Sequence, residues 1–139
     1  MPTQARQLSF TLADRDLSAV MRVRDEVREM AATVGLGERA HDLAVAATEL
    51  VANALEHGCP PVDVTVRWNG RFTLDVDDAG SAGSPPDSWG LAPPGHTGER
   101  GRGVWIVRQM VDSFDARSGP GGTHVRVSLS PDRVDDAIA

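Results

Sequence analysis

Glu49 and Asn53 are the two residues whose side-chain types and spacing most directly suggest chemistry. They stand four residues apart in the segment ATELVANALEHG, residues 47–58, and on a helix this spacing places a carboxylate and an amide on neighbouring turns of one face. Apolar residues surround the pair, so both polar groups are expected at the edge of a packed core. A carboxylate there can accept a proton from a hydroxyl group, and an amide oxygen can help to hold a hard cation. The alternative for Asn53 is an ordinary surface amide.

A second candidate segment is VDDAGSAG, residues 76–83, in which a predicted strand ends in two aspartates and a glycine. Asp78 at the end of the strand can accept a hydrogen bond from an exocyclic amine, and Gly80 would let a flat ring approach the backbone. An ordinary acidic turn after a strand would contain the same residue types.

A third candidate is GERGRGVWIVRQMVD, residues 98–112, in which glycines precede a helix that the periodicity predicts to begin near Val104. Backbone amides at Gly101 and Gly103, close to a helix N-terminus, would favour an anion such as phosphate, and Arg102 adds positive charge. The alternative is a flexible loop that ends in a glycine cap. Further on, Thr123 begins a predicted strand in GGTHVRVSL, where it either contacts a ligand or belongs to a simple hairpin turn.

The hydrophobic pattern predicts the elements that must position these groups. They are a strand over 7–12, helices over about 18–34 (with Ser18 as its cap) and 38–57, a hairpin around Asn69-Gly70, a long segment over 77–102, a helix over 104–111, and strands over 113–117 and 123–129. This order favours a two-layer α/β (α+β) sandwich, in which a mixed, mostly antiparallel sheet carries three helices on one face. We expect one domain over 1–139, with a core over about 8–129 and a flexible tail over 130–139.

Composition excludes several classes of protein. The net charge is −6 and there is no basic cluster, which argues against direct nucleic-acid binding. All 14 basic residues are arginine, so the chain cannot be a P-loop protein or a protein kinase that needs a strand lysine. No apolar run is long enough to span a bilayer, there is no signal-peptide core, and a single cysteine suits a reducing compartment. We therefore expect a cytoplasmic protein with no membrane association.

The order of these segments is more specific than any one of them, and it resembles the GHKL ATPase superfamily with its Bergerat nucleotide-binding fold. ELVANALEHG is similar to the N-box of that superfamily, Asp78-Ala79-Gly80 to its first glycine box, ERGRGVWIVRQMVD to the second, and Gly122-Thr123 to the third. The resemblance runs from about Leu8 to Leu129. The small size and the style of the second glycine box most resemble the anti-sigma-factor serine kinases.

The resemblance implies that ATP and magnesium are the cofactors and assigns a role to each candidate residue. Glu49 would be the general base toward the attacking hydroxyl, and Asn53 would bind the magnesium. At the adenine ring, Asp78 would pair with the amino group, Gly80 would make room for the ring and Thr123 would support the adenine end. Gly101, Arg102 and Gly103 would bind the phosphates. Residues 83–100 would form a lid over the ATP.

The resemblance also implies partners: a sigma factor that is held inactive, and an STAS-domain anti-anti-sigma protein that is phosphorylated on serine. A homodimer is implied in the same way. One departure is that Ala82 stands where the first glycine box has its second glycine. This departure motivates an alternative, an ATP-binding partner-switching module without kinase activity. A third hypothesis is the catalytic domain of a sensor histidine kinase.

Overall fold

The computed structural model describes residues 5–35, 37–80 and 99–131, with only the backbone described at 99–102. These residues form five strands and three helices. The elements are β1 (Arg6–Leu12), α1 (Ser18–Thr33), α2 (Arg39–His57), β2 (Val62–Trp68), β3 (Phe72–Asp77), α3 (Glu99–Met110), β4 (Ser113–Gly119) and β5 (Gly122–Leu129). None of the helices described is long and apolar enough to cross a membrane.

The strands form one sheet in the order β1-β2-β3-β5-β4, and each of these neighbouring pairs is antiparallel. Three helices and this sheet make the predicted α+β two-layer sandwich, which is confirmed. Because β3 pairs with β5 as well as with β2, the end of β3 lies in the middle of the sheet. Residues 78 and 79, directly after β3, lie between the end of α2 and the start of β5.

The alternation of apolar and polar residues along each strand decides which side chains enter the core. In β2, β3 and β5 every second side chain is apolar and buried against the helices. The buried core residues of these strands are Val62, Val64, Val66, Trp68, Phe72, Leu74, Val76, Val125, Val127 and Leu129. On the helical side, Leu43, Val51 and Leu55 of α2 are fully buried among them. Helix α2 is thus the central helix of the domain, and its polar positions border the core.

The opposite face of the sheet is held by ion pairs instead of apolar packing. Asp75 of β3 is only 4% exposed, and it accepts hydrogen bonds from Arg126 Nε at 2.7 Å and from Arg67 Nη1 at 3.1 Å. The hydrogen bond and the charge of Asp75 raise the pKa of Arg126. These contacts join β2, β3 and β5 on the side away from the helices.

Helix α1 begins at Ser18, but the predicted cap by Ser18 is wrong. The side chain that binds the first turn belongs to Asp16, whose Oδ1 accepts hydrogen bonds from the Ser18 amide at 3.0 Å and from Ser18 Oγ at 2.7 Å. These bonds lower the pKa of Asp16. Asp and Ser are both common helix caps, so sequence preference alone does not choose between neighbours.

Helix α3 begins at Glu99, five positions before the predicted start near Val104. Glycines disfavour helix, which is why residues 98–103 were predicted as a loop. Val104 and Val107 are, however, buried in the core, so packing already holds this helix. Each residue added at its end then forms one hydrogen bond without the entropic cost of starting a new helix. The predicted lid over 83–100 is corrected in the same way, because Glu99 and Arg100 are helical.

A buried ion pair holds the other end of α3. Arg39, at the start of α2, donates to the Met110 carbonyl at 3.0 Å, to the Ser130 carbonyl at 3.2 Å and to Asp112 Oδ1 at 2.9 Å. The side chains of Arg39 and Asp112 are only 7% and 8% exposed. The C-terminal end of α3 is therefore anchored to α2 and to the end of β5.

Candidate functional site

Asp78 lies directly after β3 and joins the turn that follows to β5. Its Oδ1 accepts hydrogen bonds from the Gly80 amide at 3.0 Å and from the Thr123 amide at 3.2 Å. Its own amide donates to the Thr123 carbonyl at 3.0 Å. Among residues 5–35, 37–80 and 99–131, no donor bonds to Oδ2. One carboxylate oxygen thus orders the turn, while the other is available as an acceptor.

Partial burial makes it energetically costly to leave the Oδ2 atom of Asp78 without a hydrogen-bond donor. Burial raises the pKa of Asp78, and the hydrogen bonds from the Thr123 and Gly80 amides only partly oppose this shift. The neighbouring charge of Asp77 raises the pKa slightly further. A partly desolvated carboxylate gains free energy from a ligand that donates a hydrogen bond to it.

Gly58, at the C-terminal end of α2, allows Asp78 to lie against this helix. A Cβ at position 58 would stand 2.5 Å from Asp78 Cγ and 2.8 Å from the Ala54 carbonyl oxygen, and it would overlap Asp78 Oδ2. The sequence pattern at Gly58 indicates only the end of a helix. Its backbone is extended, with φ −96°, so its glycine is required by the close approach of Asp78 and not by a left-handed turn.

Gly122 has the same function on the other side of Asp78. Its φ is +124°, and a Cβ there would overlap the Asp78 carbonyl oxygen and stand 3.0 Å from Ala79 C. The sequence pattern places Gly122 in a glycine box and at the start of the last strand. The structure adds the reason for a glycine at this position: the β4–β5 turn packs directly on the backbone of Asp78 and Ala79.

One small cavity, with a volume of about 10 Å³, brings Asn53, Asp78 and Thr123 together between α2 and the sheet. Asn53 comes from α2, Asp78 from the end of β3, and Thr123 from β5, and apolar side chains form much of the remaining wall. The other lining residues are Leu50, Ala54, His57, Gly58, Val76 and Val125. Three of the predicted site residues, which are distant in sequence, therefore share one concave and largely apolar surface. His57, the last residue of α2, also lines this cavity.

Glu49 lies one helical turn before Asn53 and faces α3. A Cβ at Gly103 would overlap Glu49 Oε1 and stand 3.5 Å from Glu49 Cδ. The carboxylate is therefore seated against the backbone of α3, close to the second glycine box. Within the part of the chain that the structure describes, no basic side chain forms an ion pair with Glu49.

The remaining predicted site residues have less defined surroundings. Among the described residues, a Cβ at Gly80 would meet only Cys59, at 3.9 Å, which is an ordinary contact distance. Gly101 lies in the first turn of α3, where backbone amides lack partners within the helix. Ala82 lies outside the described residues, and so do residues 83–98, which make up most of the predicted lid. The side chain of Arg102 is also outside them.

Comparisons with solved structures place this architecture among known folds. The RsbU and RsbW domains of Rv1364c from Mycobacterium tuberculosis align with a TM-score of 0.67 and 23% identity, over 90% of this chain and 32% of that chain. A histidine kinase domain of the blue-light activated histidine kinase EL346 from Erythrobacter litoralis aligns with a TM-score of 0.51 and 21% identity, over 81% of this chain and 59% of that one. The mycobacterial sensor histidine kinase MprB aligns with a TM-score of 0.51 and 18% identity, over 89% of this chain and 97% of that chain.

These likenesses, all below 25% identity, show a shared fold, and the chain spans about a third of the Rv1364c structure. A comparison with curated proteins finds no match. A family model for the histidine kinase-like ATPase domain matches residues 13–129, which include every residue of the cavity. The resemblance to the GHKL superfamily is thereby confirmed, and the chain belongs to the histidine kinase-like ATPase domain family.

Proposed function

We propose that this protein is an ATP-dependent anti-sigma factor with serine-protein kinase activity. It would sequester a sigma factor in the cytoplasm and phosphorylate a serine of an STAS-type anti-anti-sigma protein. The observation that carries the nucleotide part is the convergence of Asn53, Asp78 and Thr123 on one cavity. Fold similarity to a chain that contains an RsbW domain supports the regulatory part, and homodimer formation remains a prediction of the family resemblance.

The residues that line the cavity have the chemistry that the base of ATP needs, but the cavity has a volume of only about 10 Å³, so it would have to widen when a nucleotide binds. Asp78 Oδ2 is a carboxylate acceptor without a described donor, and an exocyclic amino group on a purine is a donor of the required kind. Leu50, Val76 and Val125 form the apolar wall of the cavity, of the kind that packs against a flat ring. Buried Thr123, whose amide holds Asp78 Oδ1 at 3.2 Å, fixes the direction of this acceptor.

Asn53 and the first turn of α3 are the groups that we assign to the triphosphate. The side-chain amide of Asn53 makes no hydrogen bond within the described parts of the chain, and its oxygen suits magnesium. No group of three or more His, Cys, Asp or Glu that could hold a metal occurs among the described residues. The nucleotide and water would therefore supply most ligands, and the ion would neutralise phosphate charge.

Glu49 is the group that we assign to proton transfer. Phosphoryl transfer depends mainly on positioning and charge stabilisation, with a carboxylate to accept the proton of the attacking hydroxyl. The Glu49 carboxylate is one turn from Asn53 and contacts Gly103 of α3. It is thus held between the residue assigned to magnesium and the helix assigned to phosphate.

Incubation with labelled ATP and candidate STAS proteins tests this proposal. Wild-type protein should transfer the label to a serine of one of them, and Glu49→Ala should bind ATP but transfer none. Transfer that survives in Glu49→Ala would refute the role of Glu49. ATP binding by the wild type without transfer to any candidate would favour the alternative, an ATP-gated module without kinase activity, which the Ala82 substitution in the first glycine box motivates.

A nucleotide titration tests the assignment of magnesium to Asn53. ATP affinity is measured with and without magnesium on wild type and Asn53→Ala. Magnesium should strengthen binding to the wild type and have a much smaller effect on the variant. Equal magnesium-dependent affinity in the two proteins would contradict the role of Asn53.

A further inference from the structure

Arg15 makes two side-chain hydrogen bonds far from its own position in the sequence. It lies between β1 and α1, and its guanidinium reaches the C-terminal end of α2. Nε donates to the Leu55 carbonyl at 2.8 Å, and Nη2 donates to the Gly58 carbonyl at 2.7 Å. The last carbonyls of a helix lack partners within the helix and carry partial negative charge. A two-pronged cation suits them well, because guanidinium nitrogens donate in a fixed, planar arrangement.

The backbone that Arg15 holds is the surface on which the Asp78 turn rests. Gly58 is in direct contact with the Asp78 carboxylate. The next residue, Cys59, accepts a hydrogen bond from the Ala79 amide at 2.8 Å. Gly58 itself is attached to α2 through its amide, which donates to the Ala54 carbonyl at 2.9 Å. Arg15 adds the second attachment, at the Gly58 carbonyl.

We propose that Arg15 is a positioning residue for base recognition: by holding the Leu55 and Gly58 carbonyls, it sets where the free Oδ2 of Asp78 lies in the cavity. This inference rests on the proposed ATP site and adds a residue to it that does not contact the nucleotide. The triphosphate end of the site, at Asn53 and α3, has no attachment to Arg15 among the described contacts. Loss of Arg15 therefore weakens recognition of the adenine amino group selectively and spares recognition of the phosphates.

The experiment compares two nucleotides on each variant. Dissociation constants are measured for ATP and for purine riboside triphosphate, which lacks the exocyclic amino group. Wild-type protein prefers ATP by about tenfold or more, as expected for one hydrogen bond to a charged acceptor. Arg15→Gln brings this ratio close to one and leaves the affinity for purine riboside triphosphate nearly unchanged. Arg15→Lys, which has a single ammonium group in place of the planar fork, gives an intermediate ratio.

A matched control separates positioning from general stability. Val27 is fully buried in α1, so Val27→Ala loses stability without touching the end of α2. Val27→Ala should have a lower melting temperature than wild type but the same preference for ATP over purine riboside triphosphate. Hydrogen exchange provides a readout without nucleotide: in Arg15→Gln the Ala79 amide exchanges faster relative to the amides of β2, whereas in Val27→Ala that relative rate is unchanged.

Three results would overturn the inference, and they are distinguishable. An Arg15→Gln variant that keeps the wild-type ratio, or that weakens both nucleotides equally, removes the positioning role and leaves the ATP site intact. Wild-type protein that binds both nucleotides equally removes the assignment of Asp78 and, with it, that of Arg15. Wild-type protein that binds neither nucleotide removes the proposed function itself. If Arg15→Gln does not fold, the Arg15→Lys ratio decides.

Discussion

The carboxylate of Asp78 rests directly on Gly58, so that the end of α2 and the end of β3 meet where no side chain separates them. The two residues are twenty positions apart in the sequence. Asp78 is held in this position through Thr123 on one side and through the end of α2 on the other. The acceptor that we assign to adenine is therefore a product of three elements, and each element can be disturbed separately.

Gly58→Ala should damage the site and the fold together. The added Cβ would overlap the Asp78 carboxylate and stand 2.8 Å from the Ala54 carbonyl oxygen, which is backbone and cannot simply rotate away. We expect a loss of about 1–3 kcal/mol in the free energy of unfolding, as for other overpacked positions. ATP affinity should fall as well. Urea denaturation and a nucleotide titration measure the two effects.

Gly119→Ala is the control for this substitution. None of the described residues lies within 4 Å of a Cβ at position 119, so the same chemical change should leave both stability and ATP affinity close to wild type. A Gly58→Ala variant that behaves like Gly119→Ala would show that the contact with Asp78 is not close in solution.

Gly103→Ala should separate stability from catalysis. Alanine is favoured over glycine in a helix by about 1 kcal/mol, and the atom in its way is the end of the flexible Glu49 side chain. The fold should therefore keep or gain stability while the Glu49 carboxylate is displaced. Phosphotransfer should fall by up to about a hundred- to ten-thousandfold, the contribution of a positioned general base.

A double-mutant cycle checks the mechanism of that loss. If Gly103→Ala acts only by displacing Glu49, it should have no further effect on transfer in a Glu49→Ala background. An additional loss in that background would mean that Gly103 acts on the reaction by another route.

Asp78→Asn should change the pH dependence of stability. Burial raises the pKa of Asp78 above its usual value of 3.8, so the folded state binds this proton more strongly than the unfolded chain. The corresponding stability is fully present below about pH 3.8 and is lost as the pH rises through the raised pKa. Asparagine does not ionise, so the variant should become more stable relative to wild type as the pH rises from about 4 towards neutrality.

Asp16→Asn is a control of opposite sign. The hydrogen bonds from Ser18 lower the pKa of Asp16, so its stabilisation is present above the usual pKa and is lost in acid. The variant should be less stable than wild type near neutrality, and this difference should shrink as the pH falls. Thermal unfolding across the pH range follows both variants. An Asp78→Asn difference that is flat with pH would contradict the burial of that carboxyl.

The same Asp78→Asn substitution should weaken ATP binding. It replaces the free carboxylate oxygen by an amide that cannot match a charged acceptor, at a cost of about ten- to a hundredfold in affinity. The affinity for purine riboside triphosphate should change much less. An equal loss for both nucleotides would place Asp78 away from the base.

Arg39→Met should destabilise the protein without changing base recognition. Arg39 binds the Met110 and Ser130 carbonyls and pairs with Asp112, and both charged side chains are almost fully buried. Removal of one partner from such a pair costs about 3–5 kcal/mol, because the other charge is left buried and unpaired. Urea denaturation gives the loss, and the preference for ATP over purine riboside triphosphate should persist below the transition. A loss well under 1 kcal/mol would show that Asp112 is solvated in solution.

The sequence by itself determined the elements and their faces. The hydrophobic pattern predicted the hairpin around Asn69-Gly70, which the structure forms as β2 and β3, because the two-residue period of a strand is a local property. Four-residue spacing likewise placed Glu49 and Asn53 on one face of α2, and the motif order indicated the family. Such features depend on residues close together in the chain, and they follow from local geometry.

Only the tertiary structure decided how these elements meet. The early start of α3 depends on Val104 and Val107 being held in a core that distant strands complete. The need for glycine at position 58 depends on the carboxylate of Asp78, and the bonds of Arg15 depend on carbonyls 40 and 43 residues away. Contacts across such separations have no period in the sequence, because they form only when packing of the whole core brings the elements together.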